Sequence, residues 1–164
     1  MQELCPLDPE DKGRIMGETD IADVLRRSGW SEDRSVDISA DSQALIENGV
    51  EVWPELEAFL RQFSGLALHY ERSVGPDAAW FGSARAYREA AHPVWALRYG
   101  KGIGVRFAPI GCSNSEYLTL YATDDGRFFG GFDPSLAYLG SSPFEMLDAL
   151  INDHHSPIDW ESGE

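Results

Sequence analysis

Basic residues are scarce in this chain. Thirteen lysines and arginines stand against 28 aspartates and glutamates, a formal net charge of -15 over 164 residues. Such a surface repels nucleic-acid phosphates and anionic lipid headgroups, which excludes direct nucleic-acid or membrane binding as the expected activity. It attracts a basic protein and speeds the encounter, although solubility alone accounts for the same number equally well. Cysteine is nearly absent: Cys5 and Cys112 are far apart and fit no metal or redox spacing, the pattern of a reducing cytoplasm. No apolar run approaches the roughly 20 residues a membrane helix needs. The opening MQELCPLDPEDKGR carries acids where a secretory signal needs a basic stretch and an apolar core, so a cytoplasmic location is expected.

Catalytic signatures are missing as well. The chain has no G-x-S-x-G, no phosphate-cradling glycine loop, no H-E-x-x-H and no spaced cysteine pair, so no enzyme, cofactor or metal site is expected. His154 and His155 are adjacent, so on a helix end they point about 100° apart and suit a helix C-terminus better than a metal. His69 and His92 are isolated from any nucleophile or base and read as structural. The glycines between Gly100 and Gly104 lack the strand-before, helix-after context of a dinucleotide loop.

What is present is an ordinary core, with 43% hydrophobic and 12% aromatic residues, enough for one domain. The organising stretch is PELEAFLRQFSGLALHY, residues 54 to 70. Leu56, Phe59, Leu60 and Phe63 recur at helical spacing, Pro54 suits a first turn, and Gly65 suits a stop. Leu66, Leu68 and Tyr70 then alternate as a half-buried strand does. Upstream, residues 1–18 are polar and read as a flexible arm. Thr19 or Asp20 can cap a helix with Val24 and Leu25 on its apolar face. Val36 and Ile38 suggest a short strand, and Asp41 a cap for a second helix.

Downstream, ERSVGPDA reads as a loop and Ala79–Phe81 as a brief strand. Residues 83–99 have helical composition interrupted at His92-Pro93, and the glycines from Gly100 on release the chain into a strand around Val105–Phe107. Two alternating runs flank Asp124-Asp125-Gly126, a hairpin signal. A glycine- and proline-rich connection follows, then Pro143 opens a last helix with Phe144, Leu147, Leu150 and Ile151 on its apolar face. The expected fold is α+β, an antiparallel sheet with helices packed on one side, in a single domain over residues 19–153 with an acidic tail at 154–164. Of the five tryptophans, Trp30 and Trp53 read as core and Trp160 as the exposed one. Trp80 and Trp95 lie in the irregular middle, where either core packing or a role as an interface anchor is open. Asp124 and Asp125 with Asp133 could form a metal-binding acidic cluster or an acid/base pair, but Asp124-Asp125-Gly126 fits hairpin-turn chemistry better.

The order of several short motifs resembles the SUKH-type immunity proteins, their third subgroup. The matching residues are Gly29-Trp30, Arg34, Val36, Gly49, the helix with Phe59, Leu60 and Phe63 ending in Gly65-Leu66, then Pro109-Ile110-Gly111, Asp124–Arg127 and Leu139–Ser142. Ser64 stands where that family usually has a second glycine, and residues 83–99 do not align. The resemblance implies an α+β fold without catalytic residues and a role in polymorphic toxin systems, in which a cytoplasmic immunity protein binds and neutralises a cognate toxin, often a nuclease. The alternative it implies is a regulatory interaction module without a toxin partner. A nuclease holds phosphates with basic residues, so its expected inhibitor is acidic. On this reading Asp124, Asp125 and Asp133 are candidate rim contacts for the basic toxin domain, with Trp80 and Trp95 as anchors.

Overall fold

In the computed structural model, which describes residues 20–72, 75–113, 118–132, 134–152 and 156–161, three helices come first: α1 (Ile21–Ser28), α2 (Ser39–Glu47) and α3 (Pro54–Phe63). Strands β1 (Ala67–Arg72) and β2 (Gly75–Phe81) follow, then α4 (Ser83–Glu89) and α5 (Pro93–Ile103). The rest is β3 (Phe107–Ser113), β4 (Leu118–Thr123), β5 (Phe128–Phe132), β6 (Ser135–Gly140), α6 (Pro143–Ile151) and β7 (Ser156–Ile158). All seven strands form one sheet in sequence order, with every neighbouring pair antiparallel. This is the expected mixed α+β architecture.

Local chemistry explains most boundaries. Asp20 caps α1 by accepting from the Ala22 N–H at 3.1 Å, and Gly29, at φ 98°, ends it. Pro54 is the first residue of α3, whose four periodic apolar residues, Leu56, Phe59, Leu60 and Phe63, are all buried. Gly65 turns the chain at φ 89°, and its N–H donates to Phe81 O at 2.9 Å, tying the helix end to β2. Ser142 caps α6 through the Glu145 N–H at 3.1 Å, while Glu145 accepts from Ser141 N at 2.8 Å, a reciprocal arrangement akin to a capping box.

Side chains alternate across the sheet, so each strand feeds two cores. One face presents Leu68, Phe81, Ile110, Leu120 and Phe128 to α1, α2, α3 and α6. The other presents Phe107, Tyr121, Phe129 and Leu136 to Ala96 and Tyr99 of α5 and to Trp160. Beside it, Ala86 of α4 packs with Cys112 and Trp80. The helices expected on one side therefore form the larger layer, and α5 with α4 covers part of the reverse face.

Several local expectations are corrected. Val36 and Ile38 form no strand; the Val36 N–H makes a single bond to Arg61 O at 2.9 Å. Of ERSVGPDA, expected as a loop, Glu71 and Arg72 extend β1 and Gly75–Ala78 belong to β2, paired antiparallel; residues 73 and 74 lie outside the described residues. The chain breaks as expected at His92-Pro93, but α5 runs on through Gly100 and Gly102 instead of stopping there. Those glycines are needed for close approach: a Cβ at Gly100 would sit 2.7 Å from Val105 O, and one at Gly102 would fall on the Trp160 backbone, 2.9 Å from its ring. The connection before Pro143 contains β6. Trp160, expected to be exposed, is 7% exposed, edge-on to Tyr99 at 4.9 Å, with its Nε1 donating to Pro134 O at 2.8 Å. Phe144, expected on the buried side of α6, is half exposed and stands edge-on to Trp30.

Candidate functional site

The β4–β5 turn is built as its sequence demands. Thr123 N and Arg127 O close it at 2.9 Å, and Gly126 supplies φ 92°. Thr123 Oγ1 donates to Asp125 Oδ1 at 2.5 Å, and Arg127 reaches Asp125 Oδ2 with Nε at 2.9 Å and Nη2 at 2.7 Å. Asp124 accepts from the Arg106 N–H at 3.1 Å and from Arg106 Nε at 2.9 Å. The same guanidinium lies 5.3 Å from the Trp53 ring centroid and 3.3 Å from Glu51, so the turn abuts the entry to α3.

These contacts set the electrostatics. The Arg106 hydrogen bond holds the Asp124 carboxyl below the ordinary aspartate range and, reciprocally, raises Arg106. Partial burial opposes ionisation of Asp125, but the bonds from Arg127 and Thr123 outweigh it and leave its pKa lowered. Three carboxylates, Glu51, Asp124 and Asp125, thus face two guanidiniums. Exposed pairs of this kind contribute little to stability, so their main effect is to fix the turn's charge pattern.

The structure does not bring the sequence-predicted residues to one surface. Trp80 pairs with Cys112, five residues along β3 from Phe107, which pairs with Thr123 at the turn; strand rise makes that separation roughly 17 Å. Trp80 is half-buried beneath Arg85, 4.4 Å from its ring, and its Nε1 is buried without a hydrogen-bond partner among the described residues. Trp95 is half-buried against Tyr99 and Trp160 and carries Arg98 over its ring at 4.8 Å. Asp133 lies outside the described residues, as do His154 and His155.

The most buried acid is structural. Asp41 is 5% exposed and, instead of capping α2, accepts from Ala84 N at 2.9 Å and Ser64 Oγ at 2.5 Å. It caps α4 from another helix, at the end where the helix dipole favours an anion. Ser64 supplies its second bond. Among the described residues no group of three or more His, Cys, Asp or Glu is placed to hold a metal ion, and no helix is long and apolar enough to cross a membrane.

Charge segregation is the feature sequence reasoning missed, although counting in windows finds it. Residues 31–57 contain Glu32, Asp33, Asp37, Asp41, Glu47, Glu51, Glu55 and Glu57 against Arg34 alone. Residues 83–106 contain Arg85, Arg88, Arg98, Lys101 and Arg106 against Glu89 alone, and no lysine or arginine follows Arg127. Glu47, Glu51 and Glu55 are exposed around the α2–α3 connection, continuous through Arg106 with the turn at Asp124. The arrangement can attract a cationic surface; it offers no nucleophile with a base and no acid/base pair.

The family model described as SUKH-3 immunity protein covers residues 18–153, most of the chain. No curated protein and no solved structure matches it.

Proposed function

The chain belongs to the SUKH-3 immunity protein family, whose members are binding proteins rather than enzymes, and from that premise we propose that it neutralises a basic nuclease toxin in the cytoplasm by covering the toxin's phosphate-binding surface. The observation that carries this reading is the acidic rim formed by Glu47, Glu51 and Glu55 with the turn at Asp124 and Asp125. A nuclease must hold phosphates with cations, so an anionic rim competes for the same groups and steers the encounter. Affinity then rests on a few buried anchors, while the rim sets the association rate. The paired Asp124 and Asp125 act as oriented charges beside the freer glutamates. Phe132 ends β5 a strand's length away from this turn, so the proposed rim does not include the neighbouring Asp133. Trp80 and Trp95 lie under Arg85 and Arg98 and contribute as secondary contacts at most.

The test is co-expression with the toxin domains encoded beside this gene, followed by purification and a nuclease assay. A stoichiometric complex with nuclease activity lost supports the reading. Neutralisation of a toxin with another activity removes the nuclease, and a complex whose formation is insensitive to salt removes the acidic rim.

A further inference from the structure

The helical layer leaves a hole in the larger core, and its shape points to a specific occupant. A cleft of about 340 Å³ opens between the sheet and α6, floored by Leu118, Gly130, Ala137 and Ala149, with Arg72 and Asp77 of β1 and β2 in its wall and Phe132 at its rim. Its cause is a run of small residues where neighbours on the same face are large. Gly130 and Ala137 are Cα partners on adjacent strands, whereas Phe128 and Leu139 on that face fill the core beside them. A Cβ at Gly130 would lie 3.2 Å from the Leu118 methyls, so Leu118 lies flat over the glycine and the space above stays open. Across it α6 presents Ala149, and Phe132 is 47% exposed. An apolar hole of this size with an exposed aromatic rim marks a binding site.

Charge selects among occupants. Among the described residues from Phe128 on, Glu145, Asp148, Asp159 and Glu161 are acidic and none is lysine or arginine. Glu145 and Asp148 flank the depression that adjoins the cleft across Leu139. The cation at the cleft, Arg72, is 3.4 Å from Asp77, and the two side chains are 17% and 10% exposed.

We propose that this cleft receives one aromatic side chain from a basic segment of the partner protein, a buried anchor beside the acids Glu145 and Asp148. The proposal rests on the immunity reading for the identity of the partner, but the recognition chemistry is a property of the cleft alone.

The test is a methyl-resolved NMR titration of the full chain with the pentapeptide Lys-Arg-Trp-Arg-Lys, beside Lys-Arg-Ala-Arg-Lys and Glu-Glu-Trp-Glu-Glu. Saturable shifts centred on Leu118, Ala137, Leu139 and Ala149 are expected from the first peptide, at least fivefold larger than from either control. Ala137→Phe fills the hole and abolishes them; Phe132→Ala, at a half-exposed rim position, weakens binding several-fold and serves if the first variant melts below wild type. Equal shifts from the alanine peptide, a response centred on Trp80 or Trp95, or none at millimolar peptide overturns the proposal. With a neutralised toxin in hand, unchanged affinity of Ala137→Phe overturns the cleft and leaves the immunity reading intact. A correct peptide response with no toxin neutralised does the reverse.

Discussion

The two faces of the sheet are built differently. The larger face is closed mostly by aliphatic and phenylalanine side chains under α1, α2, α3 and α6, and its outer surface is acidic around Glu47, Glu51 and Glu55. The reverse face is an aromatic cluster, with Tyr99, Phe107, Tyr121, Phe129 and Trp160 in mutual contact under one helix whose outer stripe carries Val94, Leu97, Arg98 and Lys101. One face thus gains its core from many elements, while the other gains it from a few large rings and a tryptophan delivered by the C-terminal segment. The lesson is that the net charge of -15 describes no single surface: Glu47, Glu51 and Glu55 are exposed on the larger face's helices, whereas α5 on the reverse face exposes Arg98 and Lys101.

The sharpest test of this contrast is Trp160→Ala. If the aromatic face is a true second core, removing the ring that meets Tyr99 and Trp95 costs about 3–5 kcal/mol in denaturant unfolding, as for other buried aromatic truncations. A loss under about 1 kcal/mol would make the reverse face a loose cover. Next comes Asp41→Ala, which leaves Ser64 Oγ and Ala84 N without the carboxylate that joins α2 to α4. The expected cost is about 2–3 kcal/mol, because buried donors are left unmade. Asp41→Asn, which keeps an acceptor oxygen, should recover part of it; equal losses for both would show that the charge at the helix end dominates.

Much of this was legible beforehand, for identifiable reasons. Helix α3, the β4–β5 hairpin and the break at His92-Pro93 carry strong local signals: periodicity, turn residues and a proline. What failed was set by distant partners. Gly100 and Gly102 read as helix breakers because the reason for them, Val105 and Trp160, lies elsewhere. Asp41 reads as a cap for its own helix, yet the helix it caps begins more than 40 residues later. Trp160 reads as exposed because its acidic neighbours give no sign of its packing against Tyr99 and Trp95 of α5. For the candidate site, acid in the turn was legible, whereas its pairing with Arg106 and continuity with Glu51 depend on sheet register and chain packing.

Charge reversal separates the two outer surfaces. Glu51→Lys combined with Glu55→Lys should slow association with a basic toxin by on the order of tenfold at low salt and flatten its salt dependence. Arg98→Glu combined with Lys101→Glu should leave the rate unchanged or raise it. Comparable slowing by both pairs, measured by stopped-flow, would mean that the toxin spans both faces or that only total charge matters. Either result would dissolve the distinction between the surfaces.

The smallest effect, and the most local, is the titration of Asp124. Its folded pKa is depressed chiefly by the hydrogen bond from Arg106, so the carboxylate binds protons less readily in the folded state than in the unfolded one. The linked stability is therefore complete above the unfolded pKa of about 3.9 and is lost as pH falls through the lower folded value. Because the pair is largely solvent-exposed, the energy is small and the midpoint itself is the better readout. Carboxyl ¹³C NMR should place the Asp124 midpoint below that of an ordinary aspartate, and Arg106→Ala should bring it back up. Raising the salt concentration should move wild type in the same direction through screening. A midpoint unmoved by Arg106→Ala would mean that the turn presents Asp124 as a free acid, which would place the hairpin beside Glu55 as an equal part of the attractive rim. A restored midpoint makes Asp124 a charge already committed, so that a cationic partner must compete with Arg106 for it.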